Sequence, residues 1–185
     1  MGFALARACL EAGSEVTLIA GPVALATPRG VRRVDVQSAL QMREAVMQEL
    51  RGQHVFIGVA AVADYRPRQA AEHKIKKGAD SHTLDLDANP DILAEVAALP
   101  DAPFCVGFAA ESRDLAIYAE GKRVAKNLAL VVGNLVQDGL GGDTNAVTLF
   151  DADGAHVLPL ADKMEVARGI AAHIASLLEK QLGPH

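Results

Sequence analysis

The sequence predicts an α/β fold, a mostly parallel sheet with helices on both faces, closed by a C-terminal hairpin and helix. Three observations carry this. The run His54-Val55-Phe56-Ile57-Gly58-Val59-Ala60-Ala61-Val62-Ala63 is apolar and rich in β-branched and small residues, the pattern of a strand buried on both faces of a parallel sheet. Such runs alternate along the chain with stretches of helical period. Hydrophobic residues make up 50% of the sequence but aromatics only 4%, so the core is built of Ala, Val, Leu and Ile, as expected where helices cover a sheet.

Taken in order, the chain opens mid-helix: Phe3, Leu5, Ala8, Cys9 and Ala12 recur at helical spacing, and Gly13 ends the run. A strand over Glu15 to Ala20 is closed by Gly21-Pro22, and a short strand over Val31 to Val36 follows the Pro28-Arg29-Gly30 turn. A helix over Ala39 to Leu50 carries the stripe Leu40, Met42, Ala45, Val46 and Leu50. Then comes the buried run, which breaks into Asp64-Tyr65-Arg66-Pro67 and continues to Lys74-Ile75-Lys76-Lys77. His82 to Asp87 alternates polar with apolar, as a half-buried strand does. Asn89-Pro90-Asp91 reads as the start of a helix to about Leu99, with Asn89 as N-cap, Pro90 at the first helical position and free amides open to an anion.

Phe104 to Glu111 is a second buried strand, followed by a helix over Asp114 to Lys126 in which Lys122 and Lys126 share a face. Leu128 to Val132 is another apolar strand, and Gly139 to Thr144 a glycine-rich loop. Ala146 to Phe150 and His156 to Leu160 flank Asp151-Ala152-Asp153-Gly154 as a hairpin, and a helix over Ala161 to Leu182 closes the chain.

The 185 residues suit one domain, residues 1–185, with a full hydrophobic core. A net charge of -5 argues against a general nucleic-acid binder, which needs a basic face to displace counterions. Cys9 and Cys105 sit in apolar surroundings without CxxC spacing, as buried thiols of a reducing compartment do. No stretch approaches ~18 uninterrupted apolar residues, and the start lacks the basic flank and cleavage pattern of a signal peptide. The reading is a cytoplasmic protein with neither membrane nor nucleic acid as partner.

Ligands of open α/β sheets bind beyond the carboxyl ends of the strands, and a carboxylate followed by lysines leaving that edge suits a phosphate-bearing ligand. Lys74, Lys76 and Lys77 are ordinarily a solvated patch, as are Lys122 and Lys126; two lysine clusters after adjacent buried strands give the functional reading its weight. Asp64 and Glu111 each end a strand, where turn formation competes evenly with binding ribose hydroxyls or a metal. The histidines at positions 54, 73, 82, 156, 173 and 185 show no i, i+4 pair and no HExxH, and are read as surface or core residues.

With those residues in place, the chain resembles bacterial phosphopantothenoylcysteine synthetase, a CTP-dependent ligase of coenzyme A biosynthesis. The resemblance runs from end to end through Met1-Gly2-Phe3-Ala4, Val16 to Pro22, Ala60 to Arg66, Lys74 to Lys77, Asn89 to Ile92, Val106 to Glu111, Lys122-Arg123 and Lys126-Asn127. It implies a Rossmann-like homodimer that binds CTP with magnesium and joins 4'-phosphopantothenate to cysteine through an acyl cytidylate. Carried over residue by residue, it assigns the nucleotide to Gly58, Val59, Ala60, Asp64, Lys74, Pro90, Asp91, Ile92, Leu93, Phe108, Lys122 and Lys126, with Lys74 the catalytic residue; it assigns no metal ligands. It also implies a further strand and a Ser/Gly/Asn-rich segment before Met1, so that this chain reads as an amino-terminally truncated domain. A flavin-dependent decarboxylase is expected on the same full-length chain. Two rival readings share the fold class: an NAD(P)-dependent oxidoreductase, for which the G-x-G-x-x-G fingerprint is missing, and a non-catalytic nucleotide-binding or dimerisation module.

Overall fold

The computed structural model describes residues 1–69, 73, 74, 76, 83–135 and 142–183. The expected positions of Ile75, Lys77, His82 and the first half of the glycine-rich loop, 139–141, lie outside the described residues.

The elements run α1 (Gly2–Glu11), β1 (Thr17–Ala20), β2 (Arg32–Asp35), α2 (Ala39–Glu49), β3 (Val55–Gly58), β4 (Tyr65–Pro67), β5 (Leu86–Ala88), α3 (Ile92–Ala97), β6 (Phe104–Glu111), α4 (Leu115–Ala125), β7 (Leu130–Leu135), β8 (Thr144–Asp151), β9 (Gly154–Asp162) and α5 (Lys163–Leu182). The main sheet has five strands in the order β3-β6-β7-β8-β9. β3, β6 and β7 are parallel, and the antiparallel hairpin β8-β9 extends the sheet beyond them. β1 and β2 form a separate parallel pair, and β4 with β5 a small antiparallel one.

Alternation along β6 builds the two faces. Phe104 and Val106 point into a core with Leu5 and Ala8 of α1, Leu130 and Val132 of β7, and Val166, Ile170 and Ile174 of α5. Cys105 and Ala109 point the other way, into a core with Val46 of α2, Ile92 and Val96 of α3, and Ala119 of α4. Period two along the strand thus sends successive residues to opposite helical layers, as the composition predicts. Burial pushes the Cys105 thiol up to about 11, which makes it an inert core side chain.

Three expectations are corrected. The run over residues 54–63 is not a strand buried on both faces: β3 takes only Val55–Gly58, half-buried at one end of the strand order, while β6 and β7 are the buried centre. Beyond Gly58 the run is apolar mainly through alanine, which is cheap to expose, and Ala60, Ala61 and Ala63 are exposed while Val62 packs under the second core. The described part of the alternating segment, 83–87, is not a half-buried strand either. Among the described residues only Leu86–Ala88 is extended, it pairs with β4, and Leu84 and Leu86 are 67% and 51% exposed. The helix expected from Asn89 starts at Ile92 with Asp91 as its N-cap, because the Asp91 carboxylate accepts from the Ala94 amide at 3.0 Å.

Candidate functional site

The site is built where β3 and β6 run side by side. Gly58 and Gly107 are register partners across this pair, so the two strands present a floor without side chains at that level. Leu93 of α3 fills the space. A Cβ at Gly107 would meet Leu93 Cδ2 and Leu128 Cδ1 at 2.9 Å, and one at Gly58 would meet Leu93 Cδ1 at 3.5 Å. The absence of bulk at Gly107 therefore seats Leu93 and α3 against the sheet, while a Cβ at Gly58 would only reach ordinary van der Waals contact with Leu93.

The lysines arrive from α4, whose end is set by its own sequence. Asn127 adopts φ 50°, the left-handed conformation asparagine tolerates. The amides of Asn127 and Leu128 then close on the carbonyls of Val124 and Arg123 at 3.2 and 2.9 Å, a Schellman ending that stops the helix at Lys126. Lys126, at the C-cap, donates to Asp91 Oδ2. Lys122, one turn earlier, lies over Gly107 with Cε 3.8 Å from its Cβ position and donates to the Phe108 carbonyl at 2.5 Å.

The electrostatics follow from that crowding. Burial, and then the neighbouring Lys126, push the Lys122 ammonium below the ordinary lysine value, against the pull of Asp91 and Glu111. Burial also works to raise the Asp91 carboxyl, but the Lys126 hydrogen bond and the Ala94 amide outweigh it and hold Asp91 below the usual aspartate range. A half-buried ammonium whose only hydrogen-bond partner among the described residues is one carbonyl is short of anionic partners, and an anion delivered there would restore what burial removed.

Asp64, Val59 and Ala60 follow β3 out of the sheet, and a clamp around Asn89 fixes their path. The Asn89 amide donates to the Asp64 carbonyl at 2.7 Å, and its side chain donates to the Ala63 carbonyl at 2.8 Å. Arg66 closes the clamp, donating to the Ala88 carbonyl at 2.5 Å and to Asn89 Oδ1 at 3.2 Å. Asn89, which the sequence marks as a helix cap, and Arg66, which it marks only as part of the Ala60 to Arg66 stretch, act as positioning residues. Gly58, Asp91, Leu93, Phe108, Lys122 and Lys126 are thus drawn together by direct contacts, with Pro90 and Ile92 flanking Asp91. Asp64 is held at the rim with its carboxylate exposed, and Lys74 is exposed with no hydrogen bond or ion pair to the described residues.

Residues 1–178 match the family described as DNA/pantothenate metabolism flavoprotein C-terminal domain. The chain belongs to this family. Among relatives of the flavoprotein C-terminal domain, it is 51% identical over 176 residues to the coenzyme A biosynthesis bifunctional protein CoaBC of Vibrio cholerae, covering 92% of this chain and 44% of that protein. Against CoaBC of Escherichia coli K12 the identity is 50% over 170 residues, covering 88% and 42%. The crystal structure of the C-terminal domain of CoaBC superimposes with a TM-score of 0.82 at 37% identity, covering 97% of this chain and 82% of that one. The Rossmann-like α/β architecture is therefore shared with a solved member of the family. The chain spans less than half the length of the two CoaBC proteins.

Proposed function

We propose that this chain is the ligase domain that joins 4'-phosphopantothenate to cysteine at the expense of CTP in coenzyme A biosynthesis. The observation that carries the reading is the Lys122, Lys126 and Asp91 group held over the Gly58 and Gly107 floor, in a chain half identical to CoaBC. In the proposed reaction a carboxylate oxygen of phosphopantothenate attacks the α-phosphorus of CTP and pyrophosphate leaves with the broken P–O bond. The cysteine amine then attacks the acyl cytidylate, loses a proton and displaces CMP. Gly58, Val59, Ala60 and Phe108 line the nucleotide; Pro90, Asp91, Ile92 and Leu93 form its wall; Lys122 and Lys126 hold phosphate oxygens as point charges. Lys74 supplies the charge that meets the negative charge growing at the α-phosphate.

The donor set suits a hard cation bound mainly through the triphosphate, since Asp64 and Glu111 carry carboxylates with no hydrogen bond or ion pair among the described residues. Asp64 or Glu111, together with the phosphates, would hold magnesium there, and the ion would supply charge neutralisation. Titration with CTP and with ATP in magnesium, followed by an assay for pyrophosphate and CMP with phosphopantothenate and cysteine in the full-length protein, tests the reading. CTP preferred over ATP, with both products formed, is the expected result. NAD(H) binding without CTP binding would replace the ligase by the oxidoreductase, and CTP binding without turnover in the full-length protein would leave the nucleotide-binding module.

A flavin-dependent decarboxylase on the same full-length chain accounts for the word bifunctional in the names of the relatives. The free thiols Cys9 and Cys105 accord with the cytoplasm, and no helix among the described residues is long and apolar enough to cross a membrane. A homodimer is supported by β9, which ends the strand order of the sheet and exposes Val157 and Leu160 by 73% and 65%. Light scattering of Leu160→Lys is expected to show monomer where the parent chain is dimeric; an unchanged dimer would move the interface off β9.

A further inference from the structure

Asp151, His156 and His173 take no part in the site described above. Asp151 ends β8, His156 lies in β9 and His173 faces both from α5, and one ligand atom of each falls within 4.8 Å of the others. In register, Asp151 lies beside the amino end of β7, because Phe150 pairs with Val131, whereas the nucleotide residues lie toward the carboxyl ends of β3 and β6. The Asp151 side chain is 2% exposed. Its Oδ1 accepts the Asp153 and Gly154 amides at 2.8 and 3.1 Å, which pins the carboxylate in the hairpin turn. Nε2 of His173 stands 2.7 Å from Oδ2, and Nε2 of His156 stands 3.2 Å from both carboxylate oxygens. Burial pushes the Asp151 carboxyl up, but His173, the Asp153 amide and His156 outweigh it, so that it is an anion at neutral pH.

We propose that Asp151, His156 and His173 form a binding site for one divalent transition-metal ion of the zinc or cobalt type. Two imidazole nitrogens and one carboxylate oxygen suit such an ion rather than magnesium or calcium, which prefer oxygen alone. Donors on a tetrahedral ion with bonds of about 2.0–2.1 Å stand about 3.3 Å apart, so the His173 contact has to open by roughly half an ångström and the two imidazole nitrogens, which lie within 4.8 Å of each other, have to close toward that spacing. Each Nε2 then offers its lone pair to the ion and its ring proton resides on Nδ1. The nearby cations are already neutralised, Lys180 by Asp153 at 2.8 Å and Arg123 by Glu120 at 2.6 Å, which leaves the Asp151 charge for the ion. His156, with its side chain 42% exposed, leaves a solvent-facing position for water. Bound there, the ion clips α5 to the β8-β9 hairpin.

The test is titration of chelator-treated protein with Co2+, read by calorimetry and visible absorption, and then with Zn2+, read by thermal melting. The expected result is one high-affinity Co2+ per chain with the absorption of a four- or five-coordinate ion, its displacement by Zn2+, and a melting temperature raised by on the order of several degrees. His173→Gln weakens the affinity at least ~10-fold and the double variant with His156→Gln abolishes it, while CTP leaves it unchanged. If the double variant does not fold, His156→Gln alone, at the exposed ligand, provides the comparison. Absence of binding below millimolar Co2+ would overturn the site, and binding undiminished in the variant compared would overturn it by assigning the metal to other histidines.

Discussion

Lys74→Gln stops cytidylate formation while leaving CTP affinity within about threefold of the parent, whereas Lys122→Met weakens CTP binding itself by on the order of 10–100-fold. The contrast rests on when each charge acts. A group that meets charge developing only in the transition state lowers turnover by about 100- to 1000-fold when removed, without loosening the ground state. Lys122 is placed differently: half-buried, bonded to the Phe108 carbonyl and facing Asp91 and Glu111, it is committed to its position before any ligand arrives. Methionine keeps the stem that covers Gly107 and discards the desolvated charge. The apo protein carrying Lys122→Met is therefore expected to melt at or above the parent temperature while binding CTP worse.

The pH dependence has a definite sign. The folded Lys122 pKa is depressed, so the cost of holding the charged form is full below that value and fades as pH rises through it toward the ordinary lysine pKa of about 10.4. The stability advantage of the methionine variant is present at neutral pH and shrinks in alkaline buffer. Melting curves at several pH values check this, and isothermal titration with single-turnover measurement checks the kinetic split. Turnover unchanged in Lys74→Gln would remove that residue from the mechanism, and CTP affinity unchanged in Lys122→Met would move the phosphates elsewhere.

Leu130→Ala costs about 2–5 kcal/mol of folding stability. Leu130 is fully buried on β7, between β6 and β8, in the core shared with Val106, Leu149, Val166 and Ile170. Truncation loses the transfer free energy of the side chain and leaves a cavity that two flanking strands and α5 cannot close. Urea unfolding should show a lower midpoint at an unchanged slope. Leu84→Ala is the control: 67% exposed, it changes stability by less than about 0.5 kcal/mol. Equal effects of the two would mean that the sheet centre is not where β6 and β7 place it.

The sequence by itself determined the fold class, the strand Phe104 to Glu111, the lysine-bearing helix and the closing hairpin and helix, because buried periodicity and turn chemistry are local properties of a chain. It also pointed to a family, and the family match bears that out. What it misjudged were segments whose apolarity had no tertiary use. The alanines after Gly58 and the leucines of the 84–86 stretch read as buried strand, but Ala60, Ala61, Ala63, Leu84 and Leu86 are exposed among the described residues. Only the tertiary structure decided that Gly58 pairs with Gly107 beneath Leu93, that Asp91 caps α3 and meets Lys126, and that Asn89 with Arg66 clamps the path to Asp64. The same holds for His156 and His173, which share no motif spacing and meet on Asp151 because a hairpin and a helix remote in sequence pack together. A side chain's partners depend on which elements the sheet brings side by side, and spacing along one chain carries no record of that.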